Sequence, residues 1–163
     1  IIIAILDTGV DMLHPDLDEK IHSSGYDFVN DDSDATDDEG HGTHVAGIAA
    51  AETHNDEGIA GVAWNCKILP VKVLDSLGLG EIGKLADAII WAADNGADVM
   101  NLSLGIPIES LVLENAIKYA YDKDVVIVAA AGNYDPIWGS DVWYPAAYDD
   151  YCLAVAATDY NDE

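Results

Sequence analysis

The sequence predicts an α/β fold: a mostly parallel sheet with helices on both faces. Three observations carry this. Apolar β-rich runs recur along the 163 residues. Helical patterns separate them. The runs are apolar throughout rather than alternating, as strands covered on both faces are. The predicted strands are Ile1–Leu6, Ile68–Val73, Val99–Leu102, Val125–Ala130 and Cys152–Ala156. The predicted helices are His41–Ala51, Ile82–Asn95 and Leu111–Lys123, with Gly96 as a stop after the second. No internal repeat is visible. In such sheets function gathers at the carboxyl ends of the strands. Four interruptions fall there: Asp7-Thr8-Gly9, Leu74 to Gly80, Ser103-Leu104-Gly105 and Gly132-Asn133.

Composition narrows the function classes. Half the residues are hydrophobic, which argues for an ordered domain. No apolar run is long enough to span a bilayer, and no targeting segment is visible. Acidic residues number 31 against 6 lysines and no arginine, for a net charge of -25. That surface is a poor partner for nucleic acid. It suits a salt-rich medium, where repulsion is screened, or the binding of hard cations such as calcium. Cys66 and Cys152 sit in apolar settings and read as buried free thiols. The chain opens inside one apolar run and stops just after another, the pattern expected of part of a longer protein.

Chemistry concentrates in a few residues. Asp7 closes the first strand. It is either an Asx-turn residue or a carboxylate fixed to orient a histidine. The stretch Gly40-His41-Gly42-Thr43-His44 opens a helix. The histidines share a helix face, so a metal pair, a catalytic base and plain surface positions all stand as readings. For His44 a hydrogen-bonded packing role is expected. Asn133 follows an apolar strand, as a turn residue or as a donor to a developing negative oxygen.

Taken together, these pieces resemble the subtilisin-like serine proteases, nearest their thermitase-like and bacillar secreted members. The resemblance rests on Ile5-Leu6-Asp7-Thr8-Gly9-Val10, His14-Pro15-Asp16-Leu17, His41-Gly42-Thr43-His44-Val45-Ala46-Gly47, Gly58-Ile59-Ala60-Gly61-Val62-Ala63, Ser103-Leu104-Gly105 and Ala130-Ala131-Gly132-Asn133, in family order across essentially the whole chain. It implies that residues 1–163 are the N-terminal portion of one such catalytic domain. Asp7 then resembles the acid of the triad, His41 the general base and Asn133 the oxyanion donor. A peptide or unfolded protein would lie between Gly78-Leu79-Gly80 and Ser103-Leu104-Gly105. The apolar setting implies large apolar side chains at the primary position. Ile106-Pro107, in place of the family's glycine, implies a bulkier rim.

The family's Gly-Thr-Ser-Met-Ala nucleophile motif does not occur in this sequence. Ser103 resembles a substrate wall and Ser140 a loop residue. The nucleophile, the last strands and part of the primary pocket are thus expected beyond residue 163. The resemblance also implies two calcium sites. One would use Asp16, Asn55, Glu57 and the carbonyls of Glu52 and Ile59. The other would use Asp27, Asn30, Asp32, Asp34 and Thr36. The expected protein is a secreted serine endopeptidase, with its own pro-segment as a further expected partner and no nucleic-acid or membrane partner. The rival expectation is a non-catalytic peptide- or calcium-binding domain derived from a protease.

Overall fold

A computed structural model describes residues 1–161 apart from Ser23, Ser24, Asp135, Trp138 and Ser140. Six strands form one sheet: β1 (Ile2–Asp7), β2 (Tyr26–Asp27), β3 (Lys67–Lys72), β4 (Val99–Leu102), β5 (Val126–Ala130) and β6 (Cys152–Val155). Their order is β2-β3-β1-β4-β5-β6. Every pairing is parallel. The helices are α1 (His41–Ala50), α2 (Ile82–Asp94) and α3 (Leu111–Tyr121), with a short 3-10 turn at Asp18–Lys20.

The central strand β1 shows why the sheet is parallel and buried. Its alternate side chains enter two separate cores. Ala4 and Leu6 join Met100 and Leu102 of β4, Ile89 of α2 and Ile117 of α3. Ile3 and Ile5 join Leu17, Ala46, Ala50 and Ile68 under α1. A strand buried on both faces has no polar phase, which is why these runs read as continuously apolar. The helices thus flank the sheet on both sides, as the sequence predicts.

Two local features complete the frame. The α3 helix begins at Ser110, whose side chain accepts from the Leu113 amide. Tyr26, Phe28 and Trp91 form an aromatic cluster between β2 and α2, with Phe28 edge-on to both other rings. The strand β2 was not among the predicted ones. Two residues are too few for any periodicity to show. Beyond β5 the core thins: on the edge strand β6, Leu153 is 61% exposed and Val155 49%.

Parallel register sets the site. Asp7 lies opposite Lys72, and Leu102 opposite Ala129. The carboxyl ends of β1, β3, β4 and β5 therefore share one edge. Every predicted catalytic and peptide-contacting segment sits on that edge or, in the case of His41, on the helix docked against it.

Candidate active site

Asp7, the last residue of β1, is completely buried. Its Oδ1 accepts from the Thr8 amide at 2.8 Å and lies 2.7 Å from His41 Nδ1. An ionised carboxylate only accepts, so the ring carries its proton on Nδ1, leaving Nε2 free to take another. Burial pushes the Asp7 pKa up; the bonds from His41 and Thr8 pull against it, and nearby Asp37 adds to the rise. Oδ2 is buried without a partner among the described residues. The His41 side chain is 49% exposed, open to a substrate.

The pair is held by a second layer that the sequence reading missed. Asp37 Oδ1 accepts from Thr8 Oγ1, the Glu39 amide and the Gly40 amide. Its Oδ2 accepts from the amide and hydroxyl of Thr43. Thr8 Oγ1 in turn accepts from the Gly42 amide at 2.9 Å. Asp37 thus clamps the first turn of α1 to the residue next to Asp7. Desolvation works to raise its pKa. The Thr43 hydroxyl and the amides of Gly40, Glu39 and Thr43 outweigh that and hold it at about 2.

Lys72 is a second missed residue, a charge at the end of an apolar strand. It is 2% exposed. Its Nζ donates to the carbonyls of Thr8 (2.6 Å) and Leu74 (2.9 Å) and to Asp38 Oδ1 (2.6 Å). Three donors meet three acceptors, which is what makes a buried ammonium tolerable. The signal that could have found both residues is their place, an acid ahead of a helix start and a lysine closing a core strand.

In front of His41 lies a groove of about 380 Å³. It is lined by all six residues predicted to contact a peptide: Gly78, Leu79, Gly80, Ser103, Leu104 and Gly105. Ile106 adds the bulky rim the sequence implied. Asn133 is exposed, three residues past the end of β5. Ser103 accepts from the Asn101 side chain at 2.8 Å and is a wall residue. Ser140 lies outside the described residues.

Several expectations need correction. His44 is exposed and not packed; it shares an outer flank of α1 with Ile48, itself 50% exposed, which no described element covers. The thiols of Cys66 and Cys152 are free but only half-buried, because each sits at the border of its core. Desolvation still pushes the Cys152 thiol up to about 12.

The acidic loops are ordered by their own backbone. Asp27 is buried; Oδ1 accepts from the amides of Val29 and Asn30, and Oδ2 from the Asn30 side chain. Asp32 accepts from the Asp34 amide, and Asp34 from Thr36. Asp16, also buried, accepts from the Asn55 amide at 2.8 Å and the Ile59 N–H at 2.9 Å. The Glu52 carboxylate accepts from the Glu19 amide. The Glu57 amide faces the Asn55 oxygen. Among the described residues no three His, Cys, Asp or Glu side chains converge on one point.

The family model described as the subtilase family matches residues 1–163. The chain belongs to the subtilase family. It is 54% identical over 160 residues to a thermophilic serine proteinase of Bacillus sp. (strain AK1), covering 98% of this chain and 39% of that protein. It is 49% identical to thermitase of Thermoactinomyces vulgaris, covering 98% of this chain and 56% of the relative. Halolysin of Haloferax mediterranei is 48% identical, with 96% and 30% covered. Among solved structures, sphericase superposes with a TM-score of 0.88 at 37% identity, with 98% of this subtilase chain and 54% of that one covered. The chain thus spans between about a third and just over half of the relatives it matches. No helix among its described residues is long and apolar enough to cross a membrane.

Proposed function

We propose that this chain is the part of a secreted serine endopeptidase that carries the acid, the base and the peptide groove. The observation that carries the reading is the 2.7 Å contact of buried Asp7 with His41 at the head of a groove lined by six expected residues. In this reading Asp7 fixes the Nδ1–H tautomer and stabilises the imidazolium. His41 Nε2 takes the proton of a serine hydroxyl as that oxygen attacks the peptide carbonyl. It then returns the proton to the leaving amine. Asn133 donates to the oxyanion. The peptide lies extended along Gly78–Gly80 and Ser103–Gly105, held by main-chain bonds as an added strand.

The serine lies outside this sequence, which lacks the family's nucleophile motif. The full-length protein is therefore the one to assay. It should hydrolyse a fluorogenic peptide and be labelled by a serine-directed phosphonate. Replacing His41 by Ala should abolish both. Peptide binding without labelling or turnover would favour the non-catalytic binding domain instead. Residues 1–163 alone should be inert.

Calcium belongs to the same reading. The loop 52–59 wraps Asp16 so closely that a Cβ on Gly58 would fall 2.1 Å from Asp16 Oδ2. The donors around it are oxygens, from Asp16, Asn55 and Glu57 and from the carbonyls of Glu52 and Ile59, a set of the kind a hard cation takes, and the ion would replace the Asn55 and Ile59 N–H groups that now bond Asp16. Asp27, Asn30, Asp32, Asp34 and Thr36 are the candidates for a second ion. Bound there, calcium would tie down the loops before and after α1. It has no step in the chemistry.

A further inference from the structure

On the side of Ser103–Gly105 the groove in front of His41 ends at Gly105 and Ile106, and neither Gly132 nor Asn133 lines it. Trp143 fills the gap. A Cβ placed on Gly132, where φ is +97°, would fall 2.7 Å from Trp143 Cγ and 3.0 Å from Cδ2. One placed on Gly105 would fall 3.3 Å from Trp143 Cβ and 3.6 Å from Cε3. The indole therefore lies wedged between two strand-end segments whose facing residues both lack side chains.

The wedge is anchored from both sides. The Trp143 amide donates to the Ala131 carbonyl at 2.9 Å, just before Gly132. The next residue, Tyr144, exchanges both main-chain bonds with Ile106, just after Gly105. The indole Nε1–H is buried with no acceptor among the described residues.

We propose that Trp143 is a specificity-determining residue that closes the primary pocket, so that the enzyme cuts after small side chains, glycine, alanine or serine. The inference rests on the peptidase reading. A carbonyl presented to both His41 and Asn133 belongs to a residue that has passed along Ser103–Gly105. Successive side chains of an extended peptide point to opposite sides. The one at the scissile carbonyl turns inward, to the slit between Gly105 and Gly132. Two glycines facing one another make room for a substrate side chain, and here the indole occupies that room. A large side chain would have to overlap the ring or displace it from its packing. This reverses the preference for large apolar side chains expected from the apolar setting. Both walls of the slit lie within this chain.

The test uses the full-length enzyme and peptides Ala-Ala-Pro-Xaa with a chromogenic leaving group. With Xaa as Ala, kcat/KM should exceed that for Phe or Leu by at least about tenfold. Trp143→Gly and, as a milder opening, Trp143→Ala should raise the Phe value by about tenfold or more and change the Ala value far less. A wild type that cleaves after Phe as well as after Ala overturns the proposal. So does a ratio unmoved by either substitution. Binding of the product peptides Ala-Ala-Pro-Ala and Ala-Ala-Pro-Phe, followed by tryptophan fluorescence, reads the pocket without turnover. Tighter binding of the Ala peptide by a protein that hydrolyses nothing would sustain the closed pocket and sink the peptidase reading. Equal binding of the two would sink the closed pocket.

Discussion

At the residue scale, two carboxylates share one small region and have opposite electrostatics. Asp7 is buried and its pKa is pushed up; Asp37 is bonded five ways and held at about 2. Replacing Asp7 by Asn keeps the shape but removes the charge and puts an NH2 donor where only acceptors stood, so the His41 tautomer is no longer fixed. In triads of this kind the loss in kcat is about 10⁴-fold, and steady-state kinetics of the full-length variant should show it with KM little changed. Asp37 gives a stability prediction with a definite sign. Its folded pKa lies below the unfolded value of 3.8. The ionised group therefore stabilises the fold above that value, and the gain is lost as pH falls through about 2. Asp37→Asn should cost about 1–2 kcal/mol at neutral pH, as lost helix caps do. In acid titrations of stability the two proteins should converge below about pH 4 and meet near pH 2. A gap independent of pH would mean that the carboxylate charge is not what holds the turn.

At the scale of the element, α1 shows how packing decides which glycine matters. A Cβ on Gly42 would fall 2.1 Å from the Gly9 carbonyl oxygen and 3.1 Å from Asp7 Cβ. One on Gly47 meets nothing within 4 Å among the described residues. Gly47→Ala should therefore raise stability by about 0.5–1 kcal/mol through helix propensity alone. Gly42→Ala should lower it by about 1–3 kcal/mol and push the helix away from β1. The same shift lengthens the Asp7–His41 contact, so kcat should fall with the melting temperature. Denaturant melts and kinetics on the pair separate the two effects. At the end of β3, Lys72→Met strands Asp38 and two carbonyls. A loss of roughly 3 kcal/mol is expected, at the low end for a broken buried pair, because Asp38 is half-exposed.

At the scale of the whole molecule, the net charge of -25 dominates. Self-repulsion of that size is long-ranged and screened by monovalent salt, so melting temperature should climb with sodium chloride. Calcium would act locally and would survive that screening. At a hundredfold excess over its dissociation constant, one ion adds roughly 3 kcal/mol by linkage. Chelation should then lower the melting temperature of the full-length protein by roughly 5 °C, even in high salt. An unchanged melt, with no calcium by elemental analysis, would leave Asp27 to Thr36 and the Asp16 loop as ordinary turns held by their own amides.

The sequence by itself determined the fold class, the five longer strands and three helices nearly to the residue, and the pairing of Asp7 with His41. Those features are written in local pattern: continuous apolar runs, a helix start at Gly40-His41, a glycine stop at Gly96, and a motif order shared with a family. Tertiary structure alone decided the rest. Asp37 reads as one more acid in an acidic run until the docking of α1 on β1 brings Thr8 and Thr43 to it. His44 reads like His41 until the helix turns it to an uncovered flank. Trp143 carries no local signal at all, because what makes it a wall is the approach of Gly105 and Gly132, which lie on separate segments of the chain. Local sequence sets the dihedral and burial preferences of each segment. Which side chains meet across segments depends on the sheet order and register, and those exist only once the chain has folded.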